Sequence, residues 1–288
     1  MVQRLGRSGP LWSAVLLILL VLAGCAGTPE PAVEGASGPD PAEVAKEVEV
    51  GEAAFAKLAG QFGVVRDAEA TEYLNKYLQS LAFFVERQEL TYHAAILDTE
   101  QINAYALPGG YIFVTLGTLQ RVESPGELAG ILAHELGHVQ YKHILDNVNI
   151  EVEYSAVETL ARVLAGGRQI VNTAMAQIND AIEERLFLEG YNVEDEYEAD
   201  AYAVNYLEGL GISADPYHQF LVRLSEDSSD AMENLGATHP PLRERLQRID
   251  ELRSTDAALQ QLEATDEFRE FRDRIRSTPV QTTEEIHS

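Results

Sequence analysis

Three residues fix the start of one helix, and the rest of the chain has to fold around what that helix carries. Ser124 stands where an N-cap side chain accepts from backbone N–H groups, Pro125 takes the first helical position, and Glu127 follows three residues after the cap. Inside the helix lies His134-Glu135-Leu136-Gly137-His138. At about 100° per residue, positions i and i+4 share a face, so both imidazoles can reach one tetrahedral cation while Glu135 sits one step round beside them. On the same wheel Glu135 falls among Leu128, Ile131, Leu132 and Val139, the side expected to face the core. A carboxylate is expensive there unless it is paired or close to a metal. The pattern predicts a helix continuing to about Asn147, on which His143, five residues after His138, turns off the ligand face and has no catalytic role.

A catalytic zinc takes three protein ligands and leaves one position open. The chain has a single cysteine, Cys25, so a thiolate site is excluded and the third ligand must be His, Asp or Glu. The best candidate is Glu196, within Glu194-Asp195-Glu196-Tyr197-Glu198-Ala199-Asp200. Glu196 and Asp200 share a helical face, so one carboxylate can bind metal while the other receives the free N–H of a ligating imidazole. One zinc per chain is expected.

Before the key helix, periodicity predicts helices at about 42–61 and 67–89, then short strands at 91–97, 102–106 and 111–116, the last two joined as a hairpin by Leu107-Pro108-Gly109-Gly110. After it come predicted helices near 151–165, 168–188, 193–208 and 216–226, the turn Thr238-His239-Pro240-Pro241, a helix with Leu242, Leu246, Ile249 and Leu252 on one side, and an amphipathic stretch at 256–276. The class expected is α+β, mainly helical, with a small sheet beside the metal-binding helix.

The N-terminus carries a different signal. Arg4 and Arg7 precede an apolar run from Leu11 to Leu22, closed by Leu22-Ala23-Gly24-Cys25. The run is shorter than the roughly 20 residues of a bilayer span. It resembles a bacterial lipobox, which implies cleavage before Cys25 and lipidation of that residue. The expected organisation is a signal peptide over 1–24, a Pro-, Gly- and acid-rich tether over 25–41, a catalytic domain over 42–253, and a C-terminal helix with a polar tail over 254–288. With 21 basic against 47 acidic side chains the formal net charge is −26, which disfavours nucleic acid and anionic membrane surfaces as partners. Attachment to a membrane would therefore run through Cys25.

Taken in order, several segments resemble the gluzincin-type zinc metallopeptidase family that includes HtpX, BepA, LoiP and the prenyl-protein endoproteases. They are Gly51 through Gly63-Val64-Val65, Asn103-Ala104-Tyr105-Ala106-Leu107-Pro108-Gly109-Gly110-Tyr111-Ile112-Phe113-Val114, the His134 to His138 motif, Glu196 to Asp200, and Thr238-His239-Pro240. The resemblance implies a zincin-like catalytic domain, zinc on His134, His138 and Glu196, Glu135 as general base, and a supporting role for Asp200. It also implies a substrate cleft bordered by Gly109, Gly110, Tyr111, Ile112 and Phe113, with the backbone of Tyr111 to Val114 aligning the substrate as an added strand. His239, followed by Arg245, would lie near the chemistry, as an oxyanion donor or in the open zinc position of a resting state. In layout the chain is similar to LoiP, a lipid-anchored member without membrane spans. The expected activity is endoproteolysis of unfolded or misfolded envelope proteins on the periplasmic face of the outer membrane. A zinc-bearing chaperone or assembly factor with latent protease activity is the alternative.

Overall fold

Asp40 opens the first helix, α1 (Pro41–Phe62), by accepting from the Ala42 N–H, with Pro41 in the first turn. Asp67 does the same for α2 (Ala68–Ala82), accepting from Glu69 and Ala70, and α2 buries Leu74, Leu78 and Leu81. The computed structural model describes residues 38–148, 168–227, 235 and 239–280. Contacts divide the chain into two units, 1–38 and 39–288, and every described helix and strand belongs to the second. Cys25, Thr238 and the helix expected near 151–165 lie outside the described residues. α2 stops at Ala82, short of the expected Glu89. The Gln88 amide donates to the carbonyls of Ala82, Phe83 and Val85, which satisfies the helix end and lets the chain turn Arg87 inward.

The sheet has three strands, β1 (His93–Leu97), β2 (Ala104–Leu107) and β3 (Tyr111–Thr115), in the order β1-β3-β2. β3 runs parallel to β1 and antiparallel to β2, with Ala104 opposite Val114 and Leu107 opposite Tyr111 across the expected hairpin. β3 is therefore central, and both of its ladders are taken. The expectation that Tyr111 to Val114 would align a substrate strand fails on this ground, since a paired strand has no free N–H or C=O row to offer. The edge strand that packs on the metal-binding helix is β2.

α1 fixes the hairpin turn from behind. At Gly51 an added Cβ would come within 1.9 Å of the Pro108 carbonyl oxygen, so the helix meets the Pro108–Gly110 turn backbone to backbone. Beside this contact the buried Glu47 takes a bidentate pair from Arg87 at 2.8 and 2.7 Å and also accepts from the Gly109 N–H.

After a short helix, α3 (Leu116–Arg121), comes α4 (Pro125–Gln140), capped as expected by Ser124, whose hydroxyl accepts from Glu127. α4 ends seven residues before the expected Asn147. Arg87 and the Lys142 N–H both donate to the Val139 carbonyl, and Lys142 turns into the left-handed region at φ 56°. The chain restarts as α5 (His143–Asn147) at a new angle. α6 (Arg168–Glu184) passes into a π turn, Arg185–Glu189, closed by Gly190. α7 (Val193–Gly209) packs along α4, α8 (Asp215–Glu226) crosses it, and α9 (Leu242–Leu252) lies against α7 and α8. α10 (Asp266–Ser277) begins later than predicted, at the Thr265 cap, and buries Phe268, Phe271 and Ile275 in the same core as α2. The described residues thus give a mainly helical α+β architecture around a small mixed sheet. No described helix is long and apolar enough to cross a membrane.

Candidate metal centre

α4 is buried along almost its whole length, so the two imidazoles and Glu135 project inside the protein. His134 and His138 point their Nε2 atoms at one another across 3.1 Å. Glu196, on the first turn of α7, completes the group with Oε2 3.7 Å from His134 Nε2 and Oε1 3.5 Å from His138 Nε2. These three are the only residues among those described whose side chains form a metal-holding group. Donors bound tetrahedrally at 2.0–2.1 Å stand about 3.3 Å apart, and the spacings here, 3.1 Å between the imidazoles and 3.5 and 3.7 Å to the two Glu196 oxygens, bracket that value. Glu196 is fully buried, and neither of its oxygens has a hydrogen-bond partner. A carboxylate in that position carries a large desolvation cost that a cation would offset. Two neutral imidazoles and one carboxylate are a donor set suited to zinc.

Burial dominates the electrostatics. It pushes the Glu196 carboxyl well up, and it pulls His138 well below and His134 below the ordinary histidine value, so both imidazoles are held neutral, the form that ligates. The Glu135 carboxyl is pushed up to about 8 by burial, with Arg245 and the Ala106 N–H pulling the other way. Its Oε2 lacks a hydrogen-bond partner. Glu135, His134, His239 and Arg245 share a cavity of about 40 Å³ with Asn103 and Tyr217. That volume is enough to admit water.

His134 is held from behind. Its Nδ1 stands 3.1 Å from Asp200 Oδ1, and Arg245 grips both Asp200 oxygens at 2.8 Å each. Tyr217 donates to Asp200 at 2.8 Å and accepts from Arg245 at 3.0 Å. Tyr217 reaches this point because α4 has no side chain at Gly130, where a Cβ would lie 2.3 Å from the Tyr217 Cβ. Burial works against the charge on Asp200, but Arg245 and His134 prevail and hold its carboxyl well below the usual range. The sequence groups Arg245 with the chemistry. The structure buries its guanidinium on Asp200, 3.4 Å from Glu196 Oε2, on the wall of the cavity it shares with Glu135. His239 Nε2 lies 3.6 Å from Glu196 Oε1, at the rim of the metal group.

A donor set of this kind on one helix and the start of another is matched at the level of the whole domain. The model of peptidase family M48 matches residues 68–253. The chain belongs to peptidase family M48. This bears out the resemblance drawn from the ordered motifs, and zinc is the metal that the family and the donor set share. Among similar proteins, the beta-barrel assembly-enhancing protease of Escherichia coli is 21% identical over 74% of this chain and 45% of its own length. Metalloprotease YcaL of the same organism is 27% identical over 52% of this chain and 58% of its own, and metalloprotease LoiP is 25% identical over 66% and 73%. The chain thus spans less than half of the first of these relatives. α1 precedes the matched residues, although it braces the hairpin turn beside the M48 core.

Two residues near the centre escape a reading of the sequence. His143 falls off the ligand face only if the helix is continuous, and the break at Lys142 instead brings its Nδ1 to 2.8 Å from His138 Nδ1. Tyr191 lies flat against the His138 ring, rings 3.9 Å apart and 18° from parallel, and its hydroxyl donates to the Ala106 carbonyl at 3.0 Å. Nothing in its sequence surroundings beyond Gly190 marks it.

Proposed function

We propose that this chain is a zinc-dependent metalloendopeptidase of the bacterial cell envelope that cleaves unfolded or misfolded proteins. The observation that carries the reading is the fully buried Glu196 carboxylate, free of hydrogen bonds, facing the Nε2 atoms of His134 and His138. The names of the relatives, a beta-barrel assembly-enhancing protease and two metalloproteases, support proteolysis in the same setting.

His134, His138 and Glu196 would hold the zinc, which supplies Lewis-acid polarisation of a carbonyl and acidification of water. Glu135 takes the proton of the attacking water and returns it to the leaving amine. Burial alone would keep Glu135 protonated at neutral pH, and a nearby cation favours its charged form, so the base is readied as the site is filled. The substrate lies along β2, the edge strand beside α4, and backbone pairing there accepts many sequences. Ala106 already shows both outward groups in use, its N–H by Glu135 and its C=O by Tyr191.

That capping favours a second reading, a zinc-bearing assembly factor or chaperone whose protease activity is latent. An incoming strand must displace the Tyr191 hydroxyl from the Ala106 carbonyl. Purified full chain in detergent, given casein with and without a chelator, separates the two. Chelator-sensitive cleavage supports the peptidase, whereas one zinc per chain with no cleavage supports the latent factor. The lipobox adds that Cys25 is lipidated and that the domain faces the periplasm from the outer membrane. Mass spectrometry showing an unmodified Cys25, or a chain retaining Met1, would refute that anchoring.

A further inference from the structure

The two histidines of the centre need the same outer support, and only one has it from a carboxylate directly. An imidazole that ligates through Nε2 carries its proton on Nδ1 and needs an acceptor there. For His134 the group placed to accept is Asp200, whose Oδ1 stands in ion-pair range 3.1 Å from Nδ1. For His138 it is another histidine ring, His143, whose Nδ1 lies 2.8 Å away. Two ring nitrogens at that distance share a single proton. With the proton on His138, His143 must be bare at Nδ1 and protonated at Nε2, and its Nε2 stands 3.1 Å from Glu198 Oε2.

We propose that His143, backed by Glu198, is the positioning residue that fixes the tautomer and orientation of His138, an inference resting on the zinc-centre reading of His134, His138 and Glu196. One proton arrangement satisfies the whole chain, with His138 Nδ1–H donating to His143 and His143 Nε2–H donating to Glu198. The backbone is bent to allow it. Lys142, a residue with a Cβ, sits at φ 56°, a conformation that persists only where its surroundings impose it. Asn147 then ties α5 down by donating to the His143 carbonyl at 2.7 Å and to Asp195 on α7. Tyr191 stacks on a face of the His138 ring while His143 meets its edge, so the ring is held in its plane and at its edge.

The test is zinc affinity, measured on the full chain in detergent by competition with a chelating dye. His143→Phe keeps a flat ring without an acceptor and should weaken zinc binding about 10- to 100-fold, the range for lost outer-shell partners. His143→Asn places an oxygen near the former Nδ1 and should recover part of that loss, which a purely space-filling role would not produce. Glu198→Gln, at an exposed position, should give a smaller loss. In zinc-loaded, ¹⁵N-labelled wild type the His138 Nδ1–H should resist exchange, and it should exchange freely in His143→Phe. Unchanged affinity in His143→Phe, with wild type holding one zinc, overturns the proposal. Wild type holding no zinc overturns the metal-centre reading instead. Should His143→Phe fail to fold, Glu198→Gln decides, and an unaltered affinity together with an unaltered His143 Nε2–H signal would sink the relay.

Discussion

The supports behind the two histidines are built on opposite plans. Behind His134 the carboxylate is buried and multiply bonded, because Asp200 has Arg245 on both oxygens and Tyr217 on one. Behind His138 the carboxylate is remote and half exposed, because Glu198 acts through His143 from the surface of α7. Both plans deliver an acceptor to Nδ1. They differ in what failure costs, since a buried charge pair is strongly destabilising when broken, whereas an exposed one is worth little in stability. The Asp200 side should therefore couple metal binding to folding. The His143 side should tune the metal with little effect on the fold.

The largest expected effect provides the control for this contrast. Glu135→Gln leaves both supports intact and removes only basicity, so turnover on an unfolded protein should fall 10²- to 10⁴-fold while zinc content stays near one per chain. Retention of more than about a tenth of wild-type turnover would show that Glu135 is not the base. Next is Arg245→Met, which leaves Asp200 buried without its cation. Unfolding by urea should show a loss of about 3–5 kcal/mol, and Arg245→Lys should restore little, because a point charge cannot grip both oxygens.

The same pair sets a pH window. Asp200 is depressed in the folded state, so its contribution is complete above the ordinary carboxylate value of about 4 and is lost as pH falls through the lower, folded value. Melting temperature followed from pH 6 downward should drop at higher pH in Arg245→Met than in wild type. Coincident profiles would break the claim that the clamp holds Asp200 ionised. Asp200→Asn keeps the shape while removing the charge, and should weaken zinc binding about 10- to 100-fold. A loss no larger than that of Glu198→Gln would make the two plans equivalent.

The portions legible in the sequence are those set by local rules. The Ser124 cap and the i, i+4 spacing of His134 with His138 and of Glu196 with Asp200 depend on a few neighbouring residues, and the structure shows the cap and gathers those four side chains at one centre. The hairpin is readable for the same reason. What stays hidden depends on distant partners. The end of α4 is decided by Arg87 reaching the Val139 carbonyl, and no residue near Lys142 announces a left-handed turn. Once that break is missed, His143 is assigned to the wrong face. The central position of β3 is likewise invisible, because the parallel pairing with β1 is a long-range contact that strand patterns do not specify.

Tyr191 offers the smallest effect and the finest division between the two sides, for it touches only the His138 side. Tyr191→Phe keeps the ring stacked on His138 and removes one hydrogen bond to Ala106. A neutral hydrogen bond is worth about 0.5–1.5 kcal/mol net, which corresponds to roughly 2- to 12-fold in an equilibrium. If the hydroxyl merely occupies the place that a substrate N–H must take on β2, its removal should lower KM by that factor and leave kcat unchanged. Zinc affinity should not move, since the stacked ring remains. A fall in kcat at constant KM would mean instead that the hydroxyl donates to the reacting carbonyl, and the edge of β2 would then be closed by something other than Tyr191. Steady-state kinetics on one fluorogenic unfolded substrate distinguishes the outcomes, because only the first raises kcat/KM above that of the wild type.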